Sequence, residues 1–333
     1  MSESKYFSHY SVMLKDCVNI FKESAQTGSV AKNAPTFFAD MTFGAGGHSL
    51  ALANAFPDAN IFSVDQDPEA FQNGLKLIES KGLQERMVLS HMNFSKFPEW
   101  FKDNHPQKKL SGILLDLGVS SHHFDSFERG FSFREDAPLD MRMNNQNENL
   151  PTAAWAANNL SEEELANMIF EFGEEKFSRR IAKKIVEERS QTPLLSTKQL
   201  ENICFHAYPS NLRHKKTHPA TRTFQAFRIY VNSELDALND TLPKLYELLG
   251  FGGVLQVISF HSLEDRIVKR TFKEIFQTDK NAAKILTKRP LAPSEEELKE
   301  NPRSRSAKLR AIKKLDPGGI DFGGKKKKNY KKT

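Results

Sequence analysis

Between residues 36 and 117 the chain alternates short apolar runs with helix-forming stretches, and this alternation narrows the fold more than any other feature. Residues 36–41, 60–64, 87–91 and 111–117 are candidate strands, each short and mostly apolar. Runs that are apolar on both faces suit a parallel sheet covered by helices on each side. Residues 48–56 and 68–80 are the helices between them, the second opened by Asp67 as a cap and Pro68 at the first helical position. Strand, helix, strand at this spacing predicts a doubly wound α/β domain.

The alternation stops at about Asp125. From there to Lys215 no strand pattern stands out. Ser161 and Glu164 form a capping box ahead of Leu165, Met168, Ile169 and Phe172, with Gly173 as a natural stop. Phe177, Ile181, Ile185 and Val186 recur at helical spacing, and Ser196 with Gln199 opens another helix. Residues 219–238 then read as one long helix carrying Phe224, Phe227, Val231, Leu235 and Leu238 on one side. Gly250, Gly252 and Gly253 turn the chain into a fifth strand at 254–259, followed by a helix at 263–276 and a closing antiparallel pair at 284–287 and 309–313. The order predicts an α/β domain made of residues 1–124 and 216–333, interrupted by a helical insertion at 125–215, with a basic tail at 325–333.

Charge is informative only when divided. The 333 residues hold 48 Lys and Arg against 42 Asp and Glu, but six of those lysines lie in the last nine residues, so the remainder is balanced. Residues 202–233 hold no acid yet include Arg213, Lys215, Lys216, Arg222 and Arg228. Basic clusters on a neutral body point to a polyanionic partner. No apolar stretch approaches the roughly 20 residues needed to span a bilayer, which excludes a membrane bundle. No basic segment followed by an apolar run precedes the first strand, so no secretory signal is read. Cys17 and Cys204 make neither a disulfide framework nor a metal-ligand spacing. A cytoplasmic location without a resident metal is expected; oligomeric state is not legible.

The first strand runs into Gly44-Ala45-Gly46-Gly47-His48. A glycine turn between strand and helix lets backbone approach a ligand and aims helix N–H groups at it. Gly44 and Gly46 match the dinucleotide pattern G-x-G-x-x-G, whereas the third glycine is replaced by Ser49. About 20 residues on, the second strand ends in Asp65, where a carboxylate can accept both ribose hydroxyls of a nucleoside. Asp67 is the alternative, though its place before Pro68 suits a cap better.

Six ordered motifs carry a family resemblance. They are residues 43–49 (FGAGGHS), 112–121 (GILLDLGVSS), 129–133 (RGFSF), 138–143 (PLDMRM), 218–226 (HPATRTFQA) and 259–266 (SFHSLEDR). Over about His9 to Lys314 the chain resembles the bacterial ribosomal RNA small-subunit methyltransferase H family. The resemblance implies a class I (Rossmann-like) methyltransferase sheet that uses S-adenosylmethionine to methylate the N4 amine of a cytosine in 16S ribosomal RNA near the P site, in an assembled or nearly assembled 30S subunit. It also implies that Gly46, Gly47 and His48 line the methionine end of the cofactor, that Asp65 holds the ribose, and that Phe94 and Asp116 border the adenine and the transfer site. Where the family has Pro-Gln after the paired serines, this chain has His122-His123, so His123 stands at a cofactor contact with one ring nitrogen to donate or accept where an amide does both.

Amine methylation needs a hydrogen-bond acceptor beside a poor nucleophile, to orient it and to stabilise developing positive charge. Asp116, at the end of the fourth strand, is one candidate and Asp140 the other, although an Asp140–Arg142 pair locking a loop is an equally simple reading. Ser259 and His261 follow the fifth strand on the ligand-bearing edge, as base contacts or as caps. Phe131 and Phe133 are candidates to stack on an unpaired base. Arg142, Arg213, Lys215, Lys216 and Arg222, with the terminal lysines, are candidates to hold RNA. The competing classes are a nicotinamide-dependent oxidoreductase on a similar sheet, disfavoured by Ser49, and a non-catalytic RNA-binding or ribosome-assembly protein.

Overall fold

The computed structural model describes residues 11–27, 36–118 and 127–317. Seven strands form one sheet: β1 (Phe37–Asp40), β2 (Asn60–Asp65), β3 (Met87–His91), β4 (Leu110–Asp116), β5 (Leu249–Ser259), β6 (Ala283–Ile285) and β7 (Lys308–Lys314). Their order is β3-β2-β1-β4-β5-β7-β6. β1 to β5 run parallel, and β7 enters antiparallel to both β5 and β6. This is the doubly wound sheet that the alternation predicts. The strand order reverses between β1 and β4, and sheets of this kind bind ligands outside the carboxyl ends of the strands at such a point.

Helices α1 (Leu14–Thr27), α2 (Gly47–Ala55), α3 (Pro68–Ser80) and α4 (Phe97–Asn104) precede or connect the first four strands. The sequence reading missed α1 and α4, although α4 opens with Pro98 and Glu99 in its first turn. One face of the sheet is closed by Met13, Cys17, Phe21, Leu52 and Leu77, the other by Phe97, Phe101, Leu242, Leu245 and Phe272, all buried. A β-carbon on Gly112 of β4 would sit 2.4 Å from the Phe21 ring, so α1 lies against the sheet only because that position has no side chain.

After β4 come α5 (Ala153–Asn159), α6 (Glu162–Gly173), α7 (Ser178–Arg189), α8 (Thr197–Ala207) and α9 (Ala220–Asn232). They share a separate apolar core that includes Leu165, Ile169, Ile181, Leu200 and Phe227. The expected capping boxes are present: Ser161 and Glu164 exchange bonds at the start of α6, Ser196 and Gln199 at the start of α8. Gly173 is the last residue of α6 for a packing reason. Its β-carbon would lie 2.6 Å from the Arg222 carbonyl oxygen, and the left-handed residue that ends the helix is Glu174.

The long helix expected at 219–238 is two. Ser233 adopts a left-handed conformation, φ 49°, and separates α9 from α10 (Glu234–Leu248). The break sits where the apolar stripe changes partner: Phe224, Phe227 and Val231 enter the helical core, while Leu238, Leu242 and Leu245 enter the sheet core. β5 also begins five residues earlier than expected. Its glycines lie within the strand, where the register against β4 shifts between Leu110 and Gly112. α11 (Ser262–Thr278) and α12 (Glu295–Glu300) complete the described chain. None of the described helices is long and apolar enough to cross a membrane.

Candidate active site

β1, β2 and β4 each end in an aspartate, Asp40, Asp65 and Asp116. The parallel register brings the three ends to one edge of the sheet, where Asp65 and Asp116 border a cavity of about 630 Å³ and Asp40 is buried behind Met41 and Thr42, which line it. The glycine turn closes one side. Gly44 (φ 53°) and Gly46 (φ 81°) are left-handed, and Gly46 stands at the cap of α2 with no side-chain cap, so the first N–H groups of α2 face the turn. A β-carbon at Gly46 would meet Phe43 at 2.7 Å and Leu77 at 2.8 Å.

Asp65 is oriented from two directions. Gly44 N–H donates to its Oδ2 at 2.7 Å and Asp67 N–H to its Oδ1 at 2.9 Å. Two backbone bonds, one to each oxygen, fix the orientation of the carboxylate. Asp67 does the other work weighed for it: it caps α3 by accepting Glu69 N–H and pairs with buried Arg129 at 3.3 Å. Beyond β3, Asn93 Nδ2 donates to Gln66 Oε1 at 2.6 Å, and both line the cavity beside Phe94.

Ser49, the residue that breaks the glycine pattern, is fully buried and donates to Asp40 Oδ2 at 2.7 Å, with Ser63 Oγ 2.9 Å away. A third glycine would leave the Asp40 carboxylate without that donor. Burial pushes Asp40 above the usual carboxylate range, despite the opposing His48 and Ser49.

His48 and Asp116 form the polar end of the cavity. Their nearest atoms, Nε2 and Oδ2, are 3.4 Å apart, an ion-pair contact outside hydrogen-bond geometry. Both His48 ring nitrogens and Asp116 Oδ1 are buried without a hydrogen-bond partner among the described residues. Buried polar atoms are rarely left so, and a ligand is one of the few explanations. Burial works against protonating His48, but Asp116, Asp40 and Glu297 outweigh it and raise the imidazole above its ordinary value. The Asp116 N–H donates to Thr42 Oγ1 at 2.7 Å, which ties the end of β4 to that of β1.

The other sequence candidates lie elsewhere or are engaged. Asp140 is gripped by Arg142 through both oxygens, at 2.9 and 2.8 Å, and also accepts the Arg142 N–H. Neither lines the cavity; from the same loop Phe131, Phe133 and Met143 do. Ser259 Oγ donates to the Lys308 carbonyl across the β5–β7 pair. His261 caps α11: its Nδ1 accepts Glu264 N–H, while Glu264 accepts the Phe260 and His261 N–H groups. Glu264 lines the cavity and, though burial opposes it, is held below the usual range by His261 and Arg228. Arg213 donates to the Tyr208 and His206 carbonyls, Arg222 to the Glu174 carbonyl, and Lys215 and Lys216 are exposed. His123 and the tail at 325–333 lie outside the described residues.

Four contributors were given no site role by the sequence reading. Arg129 reaches Asp67 as well as the Arg142 and Met143 carbonyls, and Asn232 holds the same loop through the Met143 N–H and the Met141 carbonyl. Arg228 and Glu234, paired at 2.8 Å, form a further part of the cavity wall. Asn232 and Glu234 flank the left-handed Ser233, a position no local sequence signal marks.

Residues 6–315 match the model of the MraW methylase family. The chain is 43% identical over 315 residues to the ribosomal RNA small subunit methyltransferase H of Leptospira interrogans, covering 92% of this chain and 89% of that one. It is 45% identical over 294 residues to the protein of the same name from Picosynechococcus, covering 88% and 94%. The counterpart in Syntrophotalea carbinolica is 42% identical over 323 residues, covering 93% and 98%. On a match of this length, the chain belongs to the MraW methylase family.

Proposed function

We propose that the protein transfers a methyl group from S-adenosylmethionine to the N4 amine of a cytosine in small-subunit (16S) ribosomal RNA, near the P site. The observation that carries this reading is the cavity that joins an oriented strand-end carboxylate, Asp65, to the polar atoms of His48 and Asp116 that have no hydrogen-bond partner among the described residues. The names of the relatives supply the RNA. The position of the amine and the state of the ribosomal subunit rest on the family resemblance.

The residues suit this cofactor. Asp65 stands where a nucleoside ribose is accepted in such sheets, with Gln66, Asn93 and Phe94 beside it for the base. The glycine turn gives backbone approach, and the polar atoms of His48 and Asp116 without a hydrogen-bond partner among the described residues suit a charged amino-acid end and the transfer point. When bound, the cofactor supplies a methyl group activated by a positively charged sulfur.

The chain's task is then largely positioning. The lone pair of a cytosine amine is conjugated into the ring, so the amine must be held in line with the methyl carbon; well-oriented reactants gain several kcal/mol, about 7–11 at the upper end. We assign the orienting acceptor to Asp116, because Asp140 has both oxygens occupied by Arg142. A target base reaching the cavity must be unstacked, and Phe131 and Phe133 supply apolar walls that keep water from it. Arg213, Lys215, Lys216 and Arg222 are assigned to RNA phosphates.

Incubation with methyl-labelled S-adenosylmethionine and either 30S subunits or naked ribosomal RNA, followed by mapping of the label, tests the proposal. Label on a cytosine N4 supports it. Label on another base or atom, or none with either RNA, overturns it.

A further inference from the structure

His48 is only 5% exposed, yet it lines the cavity, and neither of its ring nitrogens has a hydrogen-bond partner among the described residues. The charges that act on it most are acids from three elements: Asp116 at the end of β4, Asp40 at the end of β1 and Glu297 of α12. Glu297 is itself buried and accepts the Met13 N–H at 2.6 Å. α1, packed on α2, carries Asp16, which acts with those three on buried Cys17, and an exposed Lys15. β2 ends in Asp65 on the same cavity. The cations of the cavity wall are Arg134, Arg228 and Arg303, and Arg228 is paired with Glu234.

Acids gathered in a poorly solvated place favour one positive charge among them, and a protonated imidazole supplies it. The cofactor brings another. S-adenosylmethionine differs from the S-adenosylhomocysteine left after transfer by a methyl group and one positive charge, carried on sulfur. Like charges in one cavity oppose each other, and the one that can depart as a proton is the one on the ring. We propose that His48 exchanges a proton for the charge of the cofactor: the proton leaves as the sulfonium enters, and the proton shed by the methylated amine returns to His48 through Asp116.

The charges balance at each stage. In the transfer the amine lone pair forms the new N–C bond, the electron pair of the broken C–S bond returns to sulfur, and the positive charge passes to a nitrogen that must lose one proton. Asp116, assigned above to orient the amine, receives that proton on an oxygen and hands it to His48 Nε2. The two side chains stand 3.4 Å apart, and catalytic pairs that are long in the free protein tighten in the loaded one. The ring regains its basicity at that moment, because the charge that opposed it has gone from sulfur. The return step rests on the amine-methylation reading above, whereas the exchange on binding rests on the cofactor alone.

The test titrates the full chain by calorimetry with S-adenosylmethionine and with S-adenosylhomocysteine, in buffers of different ionisation enthalpy between about pH 6 and 8. S-adenosylmethionine is expected to release about half a proton or more beyond S-adenosylhomocysteine, the amount given midway between the free and loaded titration midpoints of His48 when these lie about one pH unit apart. The difference is expected to vanish in His48→Gln. Equal release by the two ligands, or a difference that survives His48→Gln, overturns the exchange. If His48→Gln does not fold, NMR of the wild-type ring decides: its midpoint should drop with S-adenosylmethionine and not with S-adenosylhomocysteine, and an unmoved or raised midpoint overturns the exchange. For the return step, the wild-type single-turnover rate on the RNA it labels should fall on the acid side with the midpoint that NMR gives for His48 in the loaded protein. An acid limb elsewhere, or none, overturns the return. If the wild type labels no RNA, the methylation reading and the return step fall together, while the calorimetry still judges the exchange.

Discussion

Asp116 at the sheet edge and Asp140 in the loop over it live under opposite conditions. In the loop, Asp140 meets Arg142 with both oxygens, and the two terminal nitrogens of Arg129 bond Asp67 and two carbonyls, while its buried Nε has no hydrogen-bond partner among the described residues. At the edge, Asp116 Oδ1 and both His48 nitrogens have no hydrogen-bond partner among the described residues. Polar groups consumed by their neighbours hold shape, while buried groups left over are paid for only when something else arrives. The contrast separates scaffold from chemistry where charge alone does not, since both Asp116 and Asp140 are candidate acceptors in the sequence, Asp116 the stronger.

The comparison breaks first at Arg129. Arg129→Ala removes the buried charge that Arg129 sets against Asp67, itself almost completely buried, and is expected to cost about 3–5 kcal/mol of folding stability in urea titration. A loss below 1 kcal/mol would mean that the loop is held by something else. Next come the matched substitutions Asp116→Asn and Asp140→Asn. The first should lower the methylation rate about 10²–10³-fold, the range for removing one preorganised electrostatic contact, with little change in melting temperature. The second should do the reverse, and equal rate losses would erase the distinction. Asp65→Ala is expected to weaken S-adenosylmethionine binding by about 1.5–3 kcal/mol in calorimetry; unchanged affinity would move the ribose elsewhere.

The smallest expected effect bears on the His48–Asp116 pair. His48 has its proton affinity raised in the folded protein, so its stabilising contribution is complete below the unfolded value of about 6.5 and is lost as pH rises through the higher folded value. The stability gap between the wild type and His48→Gln should therefore narrow on the alkaline side. By NMR the ring should titrate above an exposed histidine and fall back in Asp116→Asn. A ring that titrates below 6.5 would show that burial, not the surrounding carboxylates, governs it.

What could be read from the chain follows sequence distance. The sheet, the glycine turn, Asp65 and both capping boxes were legible because each is a local pattern: a strand period, a turn chemistry, a residue and its partner three positions on. The Asp67 cap belongs to this class. Arg129 was opaque because its partner Asp67 lies 62 residues away, and Asn232 because it bonds Met141 across 91. Asp40 is nearer its partner Ser49, but across a loop whose geometry only the fold supplies. The break at Ser233 was hidden for another reason: the apolar spacing continues through it while the surface it packs against changes.

That break has a mechanical consequence. The two rods meeting at Ser233 are rooted in different cores, so the torsion of one residue transmits any displacement of either core to the other. The Arg228–Glu234 clasp, with bonds of 2.8 and 2.9 Å thrown across the joint, stiffens it as a strut would. Tension applied to the helical layer, by a bound polymer for instance, is therefore delivered to the rim of the cleft at Glu234 itself.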